Sequence, residues 1–158
     1  MSLRTRPWNR VPQAVYSLST TVDGEVNMNI CTYVTPITMA PKQLIVGVYH
    51  GTKTWENFKQ TGEGLLQILG EHQPHLIRAL GKKSGNTYNK HRYLQKSVAY
   101  QKDLAYLSDC LGYIHLRVKT WIPESDHDLV ICEVISWKNL REGTPLTTTY
   151  LKEHTIIR

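Results

Sequence analysis

The stretch Ala14-Val-Tyr-Ser-Leu-Ser-Thr-Thr-Val22 is rich in β-branched residues and is followed at once by Asp23-Gly24. Such residues favour extended backbone, and Asp-Gly is a common two-residue hairpin turn. A second run of this kind extends from Glu25 to Val34 and is closed by Pro36, and a third runs from Gln43 to Tyr49. We therefore expect these three runs to be neighbouring antiparallel strands.

The second half of the chain shows a clear alternation of apolar and polar residues. It is strongest in Tyr113-Ile-His-Leu-Arg-Val-Lys119, and this pattern is typical of an antiparallel strand with one buried face. Pro123 ends that run, and residues 129–137 return as its partner. Six or more strands without a repeated strand–helix–strand pattern predict a mainly β fold, a closed or half-closed antiparallel barrel with short peripheral α-helices.

Two short helices and one long loop are predicted between these strands. The first helix covers residues 55–60, with Thr52 or Thr54 as its N-cap, and the second covers residues 75–80. Residues 82–97 show no periodicity, which indicates a long basic loop. We expect one domain over residues 1–158, with residues 1–12 as an N-terminal arm.

The positive charge of the chain is concentrated in one segment. The 158 residues carry a formal net charge of +6, yet no acid lies between Glu71 and Asp103. The bases of that segment are Arg78, Lys82, Lys83, Lys90, Arg92, Lys96 and Lys102. The rest of the chain has 12 basic and 13 acidic residues. We infer that the segment guides or covers an anionic ligand.

Several classes of protein and site are disfavoured by the sequence. The longest apolar run, residues 44–49, is too short to cross a bilayer, and no secretory signal is visible. The cysteines at 31, 110 and 132 are few and far apart, which favours free thiols in the cytoplasm. His72 and His75 lack a third nearby metal ligand, so no metal site is predicted.

Two stretches carry candidate binding chemistry. Residues 27–38 place amide and hydroxyl side chains in a region predicted to be strand. They are either threonines on the face of a sheet followed by a turn, or a polar ledge that hydrogen-bonds a flat heterocyclic ligand. The stretch Tyr49-His-Gly-Thr-Lys-Thr-Trp55 joins a strand end to a helix start. It is either an ordinary capped helix or a phosphate cradle, in which N–H groups and Lys53 face the anion.

These stretches resemble flavin reductase-like proteins, the FMN-binding split-barrel family. Residues 27–38, the Ala40-Pro41 turn, residues 52–55, and Asp126-His127 with residues 129–134 occur in the family's order. The resemblance runs from about residue 12 to residue 146. It implies an antiparallel, Greek-key-like split β-barrel, a homodimer, and FMN (or FAD) near the subunit interface.

The resemblance also implies site residues. The flavin ring and ribityl chain would be lined by Val26, Asn27, Met28, Asn29, Ile30, Thr32 and Tyr33. The chain and its phosphate would be held by Tyr49, Thr52, Lys53 and Thr54, and Ala79 and Leu80 would lie close to the flavin. His127 would be the catalytic residue, which orients nicotinamide or supplies a hydrogen-bond donor.

The sequence departs from the family at the nicotinamide side. Ser125 stands where a glycine usually precedes the Asp-His pair, and residues 147–151 lack the family's aromatic-x-Arg-Gly pattern. The function that the resemblance implies is an NAD(P)H:flavin reductase that passes electrons to a monooxygenase or another acceptor, and the departures favour the first of two alternatives. The alternatives are an FMN-binding electron carrier without NAD(P)H activity and, more remotely, a nucleic-acid-binding barrel with Tyr88, Tyr93 and Tyr100 beside the basic segment.

Overall fold

The computed structural model describes residues 5–158, apart from the side chain of His91. The first four residues of the expected N-terminal arm lie outside the described residues. The strands are β1 Tyr16–Val22, β2 Glu25–Cys31, β3 Val34–Thr38, β4 Gln43–Tyr49, β5 Glu63–Ile68, β6 Val98–Gln101, β7 Leu104–Leu107, β8 Gly112–Pro123 and β9 His127–Asn139. The helices are α1 Lys53–Thr61, α2 Lys90–Leu94 and α3 Thr148–Glu153, with a π-helical turn at Ile77–Gly81.

Seven strands form one antiparallel sheet in the order β2-β1-β5-β8-β9-β4-β3, and β6 pairs with β7 separately. β2 and β3 lie at opposite edges of the sheet, yet only Thr32 and Tyr33 connect them. A connection of that length spans at most about 11 Å, so the two edges must lie close together. The sheet therefore curls into a barrel that is open between its edges. The predicted fold class, an antiparallel split barrel with short helices, is confirmed.

The hairpin predicted at Asp23-Gly24 is confirmed, but the prediction that the run over residues 43–49 is a neighbour of the first two strands is wrong. Asp23 and Gly24 both have positive φ, 49° and 79°, and they connect β1 to β2. β4, however, pairs with β3 and β9. The physical reason is burial: β4 is buried over most of its length, so its backbone is paired with a strand on each side. The run expected over residues 25–34 is divided at Thr32, after which the chain turns into β3.

The helix expected at residues 55–60 is confirmed as α1, with Thr52 as its N-cap and the left-handed Gly62 (φ 66°) as its C-cap. The prediction of a loop over residues 82–97 is wrong for its second half, which contains α2. Asn89 caps α2, because its side chain accepts a hydrogen bond from the Arg92 N–H at 2.9 Å. Buried Leu94 then anchors α2 to the core.

Two apolar cores hold these elements together. One surrounds Phe58 of α1 and includes Leu18, Val46, Leu66, Leu116 and Val130 from the sheet. The other lies on the far side of β1 and β2 and joins Met28 to Leu80, Leu107 and Leu151. Within residues 5–158, no helix is long and apolar enough to cross a membrane.

Candidate functional site

A cleft of about 440 Å³ lies where β2, the end of β4 and the start of α1 meet the segment that follows the π-helical turn. It is lined by Asn27, Asn29, Ile30, Tyr49, His50, Gly51, Thr52, Lys53, Thr54, Leu80, Gly81, Lys82, Lys83, Ser84, Gly85 and Lys90. Four of these residues are lysines and none is an aspartate or glutamate. The basic segment therefore contributes three lysines to the wall of one cleft, which fits an anionic ligand.

The first turn of α1 faces this cleft in a fixed position. The Thr52 hydroxyl accepts a hydrogen bond from the Trp55 N–H at 3.2 Å and donates one to the Tyr49 carbonyl at 2.9 Å. Thr54 is buried, and its hydroxyl accepts a hydrogen bond from the Asn27 side-chain amide at 2.7 Å. β2 and β4 are thus both tied to the positive N-terminal end of α1. That end and Lys53 together favour an anion.

Lys90 is a functional candidate that the sequence indicates only as one base of the basic segment, without its burial. Its side chain is 5% exposed and its Nζ donates a hydrogen bond to the Leu80 carbonyl oxygen at 2.6 Å. Burial lowers the pKa of Lys90 to about 8. The sequence predicts a loop for this segment, and a lysine in a loop is expected to be solvated. Asn89 just before the run of residues 90–94 was the one available signal of a helix start.

A smaller recess of about 250 Å³ adjoins the cleft and shares Asn29, Ile30 and Tyr49 with it. His127 lies in this recess, with its ring centroid 5.1 Å from that of Tyr33 and 5.0 Å from that of Tyr49. Its Nδ1 lies 2.8 Å from a carboxylate oxygen of Asp126, and this hydrogen bond lowers the pKa of Asp126. When Nδ1–H donates to Asp126, Nε2 remains available to a ligand.

A second histidine, His50, is held at the cleft by a buried carboxylate. Its Nε2 lies 2.7 Å from Asp128 Oδ1, and the Trp55 Nε1–H donates to Asp128 Oδ2 at 2.8 Å. Lys59 Nζ lies 3.6 Å from the same oxygen, and the Asp128 side chain is 5% exposed. Asp128 therefore ties β9 to α1 and to the loop that precedes it.

Most of the predicted site residues are brought together. The cleft is lined by Asn27, Asn29, Ile30, Tyr49, Thr52, Lys53, Thr54 and Leu80, and the recess by Thr32, Tyr33 and His127. Ala79 is buried in the π-helical turn beside Leu80.

Met28 and Val26 are placed differently from the expectation. The side chains alternate along β2, and both of these belong to the apolar core. A flavin contact from Met28 would therefore have to come from its backbone. Val26 also lines a second chamber next to the cleft.

His72, one of the two histidines considered as metal ligands, has other partners. His72 Nε2 lies 2.9 Å from the Asp109 carbonyl oxygen, and Arg141 contacts the Asp109 side chain. Across the described part of the chain, no three His, Cys, Asp or Glu side chains are grouped as metal ligands.

Solved structures with this fold include flavin-binding proteins. The styrene monooxygenase flavin reductase from Pseudomonas putida S12 has 21% identity, a TM-score of 0.75, and coverage of 89% of this chain and 88% of its own. The FMN-binding protein from Thermus thermophilus with bound p-hydroxybenzaldehyde has 16% identity, a TM-score of 0.79, and coverage of 93% and 88%. The NADH:FAD oxidoreductase from Streptomyces globisporus C-1027, in complex with NAD and FAD fragments, has 11% identity, a TM-score of 0.80, and coverage of 90% and 84%.

A comparison with curated protein sequences finds no significant match. The family model for the flavin reductase like domain matches residues 8–154, nearly the whole chain. Together with the split barrel, this match identifies the chain as a member of the flavin reductase-like family.

Proposed function

We propose that the protein is a flavin-dependent oxidoreductase, an NAD(P)H:flavin reductase that holds FMN, or FAD, in the cleft and the adjoining recess. The observation that carries the proposal is the shape and charge of the combined site. A recess lined by polar and aromatic side chains leads into a cleft with four lysines and no carboxylate. A flavin nucleotide has the matching form, a flat heterocycle joined by a polyol chain to an anionic phosphate.

Each part of the site has a role in this proposal. Thr32, Tyr33 and Asn29 would line the ring and the start of the ribityl chain, and Asn27 and Thr54 would face the rest of that chain. Lys53 and the N-terminal turn of α1 would hold the phosphate. The bound flavin would supply the redox chemistry, by accepting a hydride at N5 from nicotinamide and passing the electrons onward.

His127 would act at the ring end of the site. Its Nδ1 contact with Asp126 orients the imidazole and leaves Nε2 free to donate to, or accept from, a polar group of the nicotinamide or of the flavin. Tyr33 and Tyr49 flank the imidazole and limit its rotation. The proposed role of His127 is therefore to orient the nicotinamide and to hold a proton at Nε2.

Anaerobic reduction tests this function directly. The protein loaded with FMN, and in parallel with FAD, is mixed with NADH or NADPH while the visible flavin absorbance is followed. We expect the absorbance to bleach, and we expect His127→Asn to slow bleaching about 100-fold without loss of bound flavin, because general acid–base and orienting groups contribute factors of this order. Flavin that stays oxidised with both nucleotides would contradict the reductase proposal.

That outcome would favour an FMN-binding electron carrier. One observation supports this second candidate: the rings of Tyr33 and Tyr49 both lie about 5 Å from that of His127 and occupy part of the space beside it. In either case the electron acceptor is a monooxygenase or another redox partner.

We place the protein in the cytoplasm, because Cys31, Cys110 and Cys132 are free thiols.

We further propose that the protein acts as a homodimer. Large apolar side chains are exposed on and near β3, an edge strand of the sheet: Tyr33, Ile37 and Met39, which is 90% exposed. Trp137 at the end of β9 is also 67% exposed. Apolar surface of this kind beside an unpaired strand edge fits a second copy of the chain.

A further inference from the structure

A second chamber of about 360 Å³ lies beside the cleft. The two cavities share Asn27, Lys53, Gly85 and Lys90. The remaining lining is mostly polar and consists of Gly24, Glu25, Val26, Asn57, Asn86, Thr87, Tyr88 and Asn89. The chambers are thus adjacent, and two lysines, Lys53 and Lys90, line both of them.

The chain crosses this junction at Gly85. A Cβ atom on Gly85 would lie 2.9 Å from the Lys53 Cβ and would overlap the side-chain oxygen of Asn27. The Asn86 side-chain amide donates a hydrogen bond to the Gly51 carbonyl at 3.2 Å, which fixes the segment next to the loop that precedes α1. The segment therefore packs directly on Lys53 and closes one side of the site.

Lys90 is buried at this junction without a counter-ion. Among the described residues its single hydrogen-bond acceptor is the Leu80 carbonyl, and no carboxylate lies within ion-pair distance. Glu25, the one acid that lines the second chamber, is exposed and forms no ion pair with it. An unpaired cation in such a position costs free energy, and buried charges in folded proteins are normally paired.

We propose that Lys90 is the buried counter-ion of the phosphate group of the bound flavin nucleotide, and that binding of this phosphate is coupled to protonation of Lys90. The inference rests on the proposed function and adds a phosphate ligand from the segment that the sequence placed in a loop. Lys53 and Lys90, which both line the two cavities, would contact the phosphate. Any group attached beyond that phosphate, as in FAD, would enter the second chamber.

The coupling follows from the charge balance. Since burial lowers the pKa of Lys90 to about 8, the free protein loses this proton as the pH rises through that value. An adjacent phosphate dianion favours the charged ammonium, so binding raises the pKa and takes up a proton at alkaline pH. The other titratable groups that line the two chambers are His50, Lys53, Lys82, Lys83, Tyr49, Tyr88 and Glu25.

Calorimetric titration with riboflavin, FMN and FAD tests the proposal. We expect Lys90→Met to raise the Kd of FMN and FAD about 10- to 100-fold and to leave the Kd of riboflavin, which lacks phosphate, within about twofold. Lys90→Arg, which keeps the charge, should retain most of the affinity. Lys96→Met removes an exposed charge from the same segment and should change little.

Proton uptake gives a second readout that does not depend on activity. Titrations with FMN at pH 8, in buffers of different ionisation enthalpy, should show uptake of about half a proton by the wild type and none by Lys90→Met. A phosphate monoester is already a dianion at this pH, since its second pKa is about 6, so the ligand contributes no proton of its own. Equal uptake by both proteins would overturn the coupling.

The outcomes separate this inference from the proposed function. If riboflavin and the nucleotides all fail to bind the wild type, the flavin proposal itself is wrong. If they bind and Lys90→Met affects all three equally or none, the assignment of Lys90 is wrong. The unfolding temperature of the flavin-free protein distinguishes a phosphate ligand from a purely structural lysine. Removal of an unpaired buried charge should leave the unfolding temperature of Lys90→Met equal to that of the wild type or higher, whereas loss of a structural lysine would lower it.

The two nucleotides are distinguished by Tyr88→Ala, since Tyr88 lines the second chamber and not the cleft. Weaker binding of FAD alone would identify a diphosphate ester as the ligand that extends past Lys90. Unchanged binding of both nucleotides would identify the FMN monophosphate as the group that Lys90 neutralises.

Discussion

Asp128 shows how a single buried charge can organise one side of a site. Burial by itself raises the pKa of this carboxyl, but the hydrogen bonds from His50 and Trp55 and the nearby charges of His50 and Lys59 outweigh it, so its pKa lies below the ordinary value. Lys59 also lies 4.2 Å from the Trp55 ring centroid and 5.4 Å from that of Trp121. The carboxylate therefore fixes both the indole and the imidazole next to the cleft.

We expect Asp128→Asn to lower the free energy of unfolding by about 2 kcal/mol, because the amide can accept only one of the two hydrogen bonds from His50 and Trp55 and half-exposed Lys59 loses its anionic partner. Urea denaturation at pH 7 measures the change. Asp126→Asn is the matched control: that carboxylate is exposed and should contribute little. Equal effects of the two substitutions would show that the network of Asp128 does not stabilise the fold.

The low pKa of Asp128 also gives this contribution a pH dependence with a definite sign. A carboxyl whose folded pKa is depressed stabilises the protein above its unfolded pKa, which is about 3.9, and loses that contribution as the pH falls through the folded pKa. The stability difference between the wild type and Asp128→Asn should therefore shrink as the pH falls from about 5 to below about 4. A difference that stays the same between pH 5 and pH 3 would contradict the assignment.

At the scale of elements, the start of α1 combines a structural cap with part of the wall of the cleft. Thr52 and Thr147 are both N-cap threonines, and the Thr147 hydroxyl accepts a hydrogen bond from the Tyr150 N–H at 3.1 Å. Replacing either with alanine should cost about 1 kcal/mol of stability in a denaturation experiment.

The two caps differ in what they face. Thr52 lines the cleft, whereas Thr147 caps α3, away from it. Thr52→Ala should therefore also raise the Kd of FMN several-fold, and Thr147→Ala should leave it unchanged. If both substitutions weakened FMN binding equally, their effect would come from general loss of stability and the phosphate cradle at α1 would be wrong.

The elements that sequence predicted well are those with strong local signals. The hairpin turn needs positive φ angles, which Asp23 and Gly24 can adopt. The first and last residues of α1 are marked by the caps Thr52 and Gly62. Both elements can therefore be predicted from neighbouring residues. α2 is only five residues long and is positioned by the burial of Leu94 and Lys90, which is a tertiary effect. Local propensity carries no information on such contacts, and for this reason the segment resembled a loop.

The same limit applies to the candidate site. The proposed cradle at Lys53 lies within one short stretch of sequence, so local patterns are enough to suggest it as one of two interpretations. The contact between His50 and Asp128 joins residues 78 positions apart, and the alternation that places Met28 in a core depends on which face of β2 is covered. Sequence patterns give the period of a strand, but the choice of face follows from the packing of the whole barrel.

At the scale of the whole molecule, the opening of the barrel leaves β2 and β3 as unpaired edges. Natural proteins normally protect such edges with charge, bulges or a covering partner. β3 carries no charged side chain in its five residues and is exposed along four of them, although a bulge interrupts its pairing with β4 near Pro36. These features make the β3 surface the best candidate for the face covered in the proposed homodimer.

Ile37→Lys tests this homodimer because it places a charge on the exposed face of β3, where Ile37 is 43% exposed. We expect the wild type to have twice the mass of the chain by light scattering and Ile37→Lys to shift toward the monomer at micromolar concentration. A lysine that must be buried in an interface without a partner costs several kcal/mol, which is enough to weaken a standard interface 100-fold or more, given about 1.4 kcal/mol per factor of ten. Tyr93→Lys, an equivalent change at an exposed aromatic residue of α2, should leave the mass unchanged. A wild type that is monomeric at this concentration, or an Ile37→Lys variant that remains dimeric, would remove β3 from the interface.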